Sequence, residues 1–216
     1  MNMKLKKFDN AVSPVVGVML MLVVTIILAA MVASFTGSVV DEQSVAPQSS
    51  LDVGYVAKIV DTDKTNEEPN GAAENNGFVF RLMSGDTFSI KDISITLKKD
   101  DTVISFDMNT ILNDSAVVSE DNKLSIITNS NENRTYFAIS PGASDVLGIG
   151  DTFMLLADSS FDNTLCTSAA TKGRFLTWSP EGTVATFNVQ TNVPIEYTIY
   201  HTPSGKAIQS GTITIR

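Results

Sequence analysis

The amino-acid sequence predicts an α+β chain in which one long apolar helix is followed by an all-β domain built as a two-layer sandwich. Two observations carry this. From Ala11 to Val40, 30 consecutive residues contain no Asp, Glu, Lys, Arg or His. From residue 51 onward, apolar and polar residues alternate at period two in short runs separated by Gly, Asn, Asp and Pro, the pattern of antiparallel strands. Of the 216 residues 43% are hydrophobic and 18% charged, enough apolar material for a core and too little charge for a disordered chain.

The uncharged run comes first. Residues 15–35 are almost entirely Val, Ile, Leu, Met and Ala. At about 1.5 Å per residue the run makes a helix longer than the roughly 30 Å hydrocarbon layer of a bilayer. It has no polar stripe, so it belongs among lipids or other apolar helices and not on a soluble core. Lys4, Lys6 and Lys7 precede it, and Asp41 and Glu42 follow it. The positive-inside rule therefore places residues 1–10 in the cytoplasm and the rest of the chain outside. A cleaved secretory signal is the alternative, with small residues at Ala29, Ala30 and Ala33, but its apolar region spans only about 7–15 residues.

Asp9-Asn10-Ala11-Val12-Ser13-Pro14-Val15-Val16-Gly17-Val18-Met19-Leu20-Met21, followed by Ile26-Ile27-Leu28-Ala29-Ala30, resembles the amino-terminal segment of archaeal type IV pilins. That segment joins a short basic leader to a Ser-Pro-Val-(Val/Ile)-Gly-Val block and an uninterrupted apolar helix. The resemblance covers roughly the first 40 residues. It implies that a membrane-embedded prepilin peptidase removes residues 1–10 by cutting between Asn10 and Ala11, with Ala11–Val12 as the second choice, and leaves the helix on the mature chain. Loss of Lys4, Lys6, Lys7 and Asp9 takes the formal charge from −9 to −11. It also removes the charge that anchors the subunit, so that helices can exchange lipid for one another in a filament core. The resemblance further implies an assembly ATPase with its membrane platform, and other copies of the subunit, as partners. Bacterial type IV pilins carry Glu at the fifth mature position; here, counting from Ala11, that position is Val15.

Within the helix, small residues recur at four-residue spacing as Ala29, Ala33 and Gly37 and as Ala30, Ser34 and Ser38. This pattern allows close helix approach, although Ala and Gly are common in spanning helices anyway. Pro14 falls in the first turn of the processed helix, where its missing N–H does little harm. The helical region is expected at 11–43 and a polar linker at 44–50.

Residues 51–216 form the outer domain. Strands are expected at 51–60, 77–83, 88–97, 102–106, 123–128, 134–139, 152–157, 174–178, 183–189, 195–201 and 207–215. So many short strands indicate an immunoglobulin-like sandwich, each sheet packing one face inward and leaving the other solvated. The last two strands read as a hairpin turning over Thr202–Lys206. Gly-Asp-Thr-Phe occurs at 85–88 and again at 150–153, which reads as shared turn chemistry in preference to a duplicated half-domain. These turns and the His-Thr-Pro-Ser-Gly turn also resemble, more loosely, elements of archaeal pilin heads. Residues 61–77, rich in Asn, Glu, Gly and Pro, are expected as an exposed loop.

Little in the sequence points to chemistry. The one His, His201, stands beside a turn without a nucleophile motif. The one Cys, Cys166, reads as a buried or inert thiol, with pairing to another subunit as the minor option. Asp61, Asp63, Glu67 and Glu68, and Asp100 with Asp101, lack the ordered spacing of a Ca²⁺ loop and read as solvated charge. No cofactor or metal is expected, and the net acidity argues against nucleic acid as a partner. Asn113-Asp114-Ser115 and Asn133-Arg134-Thr135 are glycosylation candidates.

A pilus subunit, assembled through its helix and engaged in surface adhesion, is the function these readings favour. Alternatives are a membrane-anchored binding domain that does not polymerise, separated from the first by where the mature terminus lies, and an archaellin-type subunit. An enzyme would need an active site assembled from scattered Asp, Glu and Ser residues.

Overall fold

A computed structural model describes residues 14–39, 45–59, 70–71, 75–113, 124–167, 169–182 and 186–216. The chain forms two compact units, 1–44 and 45–216.

The first unit holds the helix α1 (Pro14–Val39), 26 residues long. Val and Ile are mediocre helix formers in water, but an apolar medium offers the backbone no partner, and the helix satisfies its N–H and C=O groups internally. Pro14 opens it, as its fixed φ favours.

All the strand pairing described in the second unit is antiparallel. Its strands are β1 (Ser49–Val56), β2 (Asn70–Gly71), β3 (Gly77–Gly85), β4 (Phe88–Ser89), β5 (Ile93–Lys99), β6 (Thr102–Phe106), β7 (Ser125–Thr128) and β8 (Arg134–Ile139). They continue with β9 (Val146–Leu147), β10 (Thr152–Leu156), β11 (Ser159–Asp162), β12 (Arg174–Trp178), β13 (Phe187–Gln190), β14 (Pro194–His201) and β15 (Lys206–Thr214). The first sheet has the order β1-β3-β10-β8-β7, the second β13-β12-β11-β2, the third β15-β14-β5-β6, and β4 pairs with β9 as a short ribbon. The α+β class expected from the sequence is therefore present.

The layering differs from a two-sheet sandwich with one solvated face per sheet. Thr135 through Ile139 of β8 and Phe153 through Leu156 of β10 are buried at every position, so the centre of the first sheet is covered on both faces. FMLL is an unbroken apolar run and TYFAI is one apart from its first residue, Thr135, the pattern that doubly covered strands carry. The strand expected over 88–97 is also interrupted. Ser89 Oγ accepts a hydrogen bond from the Lys91 N–H (3.2 Å) and starts a 3₁₀ turn, Ile90–Asp92, which turns the fully buried Ile90 inward.

Residues 61–77 were expected as an exposed loop, and their described part is not one. Asn70 and Gly71 pair with Asp162 and Phe161 of β11, while Asn75 and Asn76 are buried. The Asn76 side chain stands in for a strand: Oδ1 accepts from the Lys58 N–H (2.6 Å), and Nδ2 donates to Lys58 O (3.3 Å) and to Ser160 Oγ (2.7 Å). An amide carries the same donor and acceptor as a peptide group, so it can be buried here without loss. Residues 60–69 and 72–74, including Asp61, Asp63, Glu67 and Glu68, lie outside the described residues.

Aromatic contacts tie the sheets into one core. Phe78 of β3 stacks on Trp178 of β12 (5.2 Å between centroids), and Phe80 meets Phe153 (4.9 Å) and the edge of Tyr197 in β14 (6.1 Å). Phe106 of β6 lies against Tyr136 of β8 (4.9 Å). At the sheet edges, Gln209 of β15 clips β1: its Oε1 accepts from the Leu51 N–H (2.7 Å) and its Nε2 donates to Leu51 O (2.9 Å). The hairpin of β14 and β15 turns where the sequence predicts, with Gly205 at φ +64° and its N–H donating to His201 O (2.9 Å).

Gly77 sits between β1 and β10, and a Cβ there would overlap the Leu155 carbonyl oxygen and come within 3.1 Å of Leu156 Cα. Because these are backbone atoms of a central strand, they cannot step aside cheaply. Gly77→Ala is expected to cost about 3 kcal/mol or more, in the range of backbone strain and overpacking combined. A chemical-denaturation midpoint within experimental error of the parent protein would show that the sheet can relax.

Candidate functional site: the apolar helix and the first turn of the β domain

Every residue of α1 whose burial is described, 15–34, is exposed in the isolated chain. The segment Val15–Ser34 has mean hydropathy 3.0 and is long and apolar enough to cross a membrane. Its one mid-helix hydroxyl, Thr25 Oγ1, donates to Leu22 O (2.8 Å), so its donor is satisfied within the helix. A helix that is apolar on all sides lacks the polar stripe of a helix laid on a soluble core. It requires lipid or other helices.

Ala29, Ala33 and Gly37, with Ala30, Ser34 and Ser38, all lie on α1, and the first two of each trio are exposed. Gly17 has open space around it. The processing residues Asn10 and Ala11 lie outside the described residues.

In the second unit, Gln48 and Ser49 are pinned by Asp86. Asp86 Oδ2 accepts the Gln48 N–H (2.9 Å), the Asp86 N–H donates to Gln48 O (3.1 Å), and Ser49 Oγ donates to Asp86 O (2.6 Å). Asp86 belongs to the first Gly-Asp-Thr-Phe turn. In the second, Asp151 Oδ2 instead caps the Gly148 N–H of its own loop (2.8 Å). Gly85 and Gly150 have similar backbones, φ +103° and +96°. The repeat thus shares a turn geometry, while its two carboxylates hold different segments.

The remaining candidates occupy structural settings. His201 Nδ1 and Ser204 Oγ are 3.0 Å apart within the hairpin turn, where Ser204 also caps the Lys206 N–H (3.4 Å). Cys166 is buried. Asp100, at φ +52°, and Asp101 form the tip between β5 and β6. Asn113 is half-buried, its Nδ2 donating to Ser179 O (3.2 Å), so the atom a glycan would use is engaged. Asn133 is exposed, yet Thr135 of its sequon is fully buried with its hydroxyl donating to Ile127 O (2.7 Å). Among the described residues no group of three His, Cys, Asp or Glu side chains could hold a metal ion.

One polar site was not legible in the sequence. Asp158 is buried and accepts the Tyr136 hydroxyl (2.8 Å to each carboxylate oxygen) and the Ser179 N–H. Burial pushes its carboxyl above the usual range, against the opposing pull of Ser179, Tyr136 and Asn113. Burial and the adjacent Asp158 likewise raise the Tyr136 phenol, which stays protonated and donates. At Asp162 burial also opposes ionisation, but the Thr164 N–H and hydroxyl and the Arg174 guanidinium prevail and hold the carboxyl below the usual range.

A raised folded-state value means that the folded chain holds the Asp158 proton more tightly than the unfolded one. Its contribution is complete below the unfolded value, about 3.9, and is lost as pH rises through the folded value. Relative to Asp158→Asn, which cannot titrate, the parent protein is therefore expected to gain stability as pH falls from 7 toward 4. Urea midpoints of the two proteins running parallel across that range would remove this assignment.

The sequence profile of the family described as archaeal type IV pilin, N-terminal, matches residues 10–51, which takes in all of α1 and the linker. A search of curated proteins and a search of solved structures returned no match. The profile ends where β1 has begun, so it bears on the apolar helix and not on the β domain. Residues 10–51 are thus similar to the amino-terminal domain of archaeal type IV pilins, which supports a filament subunit of the pilin or archaellin kind.

Proposed function

We propose that this chain is the structural subunit of an archaeal type IV pilus and has no enzymatic role. The observation that carries the reading is an uncharged helix, exposed on every described side, inside the segment matched by the pilin profile. Before assembly it spans the membrane with Lys4, Lys6 and Lys7 in the cytoplasm. Prepilin peptidase cuts between Asn10 and Ala11, removing those lysines. An assembly ATPase and its membrane platform then help the freed helices pack against one another, with the acidic β domains outward and available for adhesion.

Close helix packing is favoured by the small residues Ala29, Ala33 and Gly37 and Ala30, Ser34 and Ser38. Mass spectrometry of the mature protein tests the reading, together with electron microscopy of cells with and without the gene. The expected result is an amino terminus at Ala11 in recovered filaments. A surface protein beginning at Met1 would favour the anchored, non-polymerising domain, and one beginning after residue 35 would remove the helix on which assembly depends.

A further inference from the structure

Two cavities mark opposite ends of the β domain. One, of about 550 Å³, lies where the linker enters, beside Val45 and Lys206. The other, of about 300 Å³, lies where β1 and β15 have run their length: it is lined by Ala57, Ile59, Thr191, Asn192, Arg174 and Arg216, among others. β1 begins beside the linker and β15 begins at Lys206, so this second cavity opens at the linker-distal end.

Several side chains lining the distal cavity present polar atoms with no partner among the described residues, and Arg174, Asn192 and Arg216 are exposed to solvent there. Arg174 commits Nε to Asp162 Oδ2 (2.9 Å) and leaves its other two guanidinium nitrogens without a partner among the described residues. The guanidinium of Arg216, the Asn192 amide and the Thr191 hydroxyl are likewise without a hydrogen bond among the described residues. The neighbouring acceptors are already engaged. Asp162 is held by Arg174 and by Thr164, whose N–H (2.9 Å) and hydroxyl (2.7 Å) donate to Oδ1, and the main-chain oxygen of Arg216 accepts from the Tyr55 hydroxyl (3.3 Å). Backbone bonds fix the walls: the Thr191 N–H donates to Arg174 O (2.9 Å) and the Asn192 N–H to Ile215 O (2.6 Å).

We propose that this cavity binds a small carboxylate that also bears hydroxyl groups, of the size of one acidic sugar residue. Guanidinium groups match a carboxylate's two oxygens with parallel N–H donors. Asn192 and Thr191 supply groups that can both give and take hydrogen bonds from hydroxyls. Ala57 and Ile59 offer an apolar wall to the C–H face of a ring, and the volume sits at the lower end of those of small-ligand pockets, roughly 300–1,000 Å³. The site gives the surface contact proposed above a ligand chemistry. It rests on that reading only for its biological use, since binding to the purified chain is measured whether or not filaments form.

The test is a titration of the full chain, in an uncharged detergent, with sodium D-glucuronate, followed by amide NMR signals and by calorimetry. Saturable shifts at Gly173, Thr191 and Asn192 are expected, with D-glucose giving none. Arg216→Gln, which touches no described ion pair, is expected to weaken binding at least fivefold. Asn192→Gly, which keeps the φ of +64° accessible, is expected to weaken it as well. Lys206→Gln removes the same charge at the opposite end and is expected to change nothing. Three results would overturn the proposal: no saturable shift, equal binding of sodium sulfate or glucose, or a loss with Lys206→Gln that matches the loss with Arg216→Gln.

Discussion

Leu28→Lys is expected to eliminate filaments from the cell surface while leaving the β domain folded. Leu28 lies near the middle of α1, 55% exposed and surrounded in sequence by Ile26, Ile27, Ala29 and Ala30. A lysine at the centre of a spanning helix costs about 2.5–3.5 kcal/mol on insertion scales. In a packed bundle of identical helices the charge would recur in each subunit with no carboxylate on α1 to meet it, since the helix has none in its sequence. Leu28→Met keeps the volume and apolarity and is expected to assemble normally. Electron microscopy of cells carrying each variant, with immunoblotting of membrane and sheared-surface fractions, reads the outcome. Normal numbers of filaments from Leu28→Lys cells would mean that α1 is not the assembly element.

The largest effect on the β domain is expected from Trp178→Ala, about 3–5 kcal/mol, the usual range for removing a buried aromatic. Trp178 is fully buried, stacked on Phe78 and edge-on to Phe187 (6.4 Å), so its loss opens a gap between the first and second sheets. Its indole N–H also donates to Leu156 O (2.8 Å), and that buried carbonyl would lose its side-chain donor. Trp178→Phe restores most of the stacking but not the donor and is expected to cost less. Far-UV circular dichroism during urea unfolding of the full chain measures both. Equal losses from the two variants would show that the hydrogen bond, and not the packing, carries the stability.

The elements differ in how readily the sequence revealed them. β6, β8 and β12 follow the expected runs residue for residue at 102–106, 134–139 and 174–178, because each is a compact apolar or alternating stretch bounded by turn residues. β2, β9 and β11 were not foreseen. Two are two residues long, and β11, Ser159–Asp162, carries only one large apolar side chain, so no period is visible in it. Their pairing comes from neighbours: β11 lies between β12 and β2, and its buried Ser160 accepts a hydrogen bond from Asn76, 84 residues earlier. Asp158 and Tyr136 were invisible for the same reason, since nothing near either one in the sequence signals a buried pair. The distal cavity gathers residues from positions 57 to 216 and has no local motif at all.

By itself the sequence determined the division of the chain into an uncharged helix and an alternating β domain, and the pilin character of the first 40-odd residues. Hydropathy and charge order are properties of contiguous residues and need no fold to be read. Only the tertiary structure decided that the strands form three sheets and a ribbon, that β8 and β10 are covered on both faces, and that Asn76, Asp158 and Gln209 are joints between segments. Each of these depends on which strand lies beside which. That choice is made by contacts between residues far apart in the chain, for which period and composition carry no record.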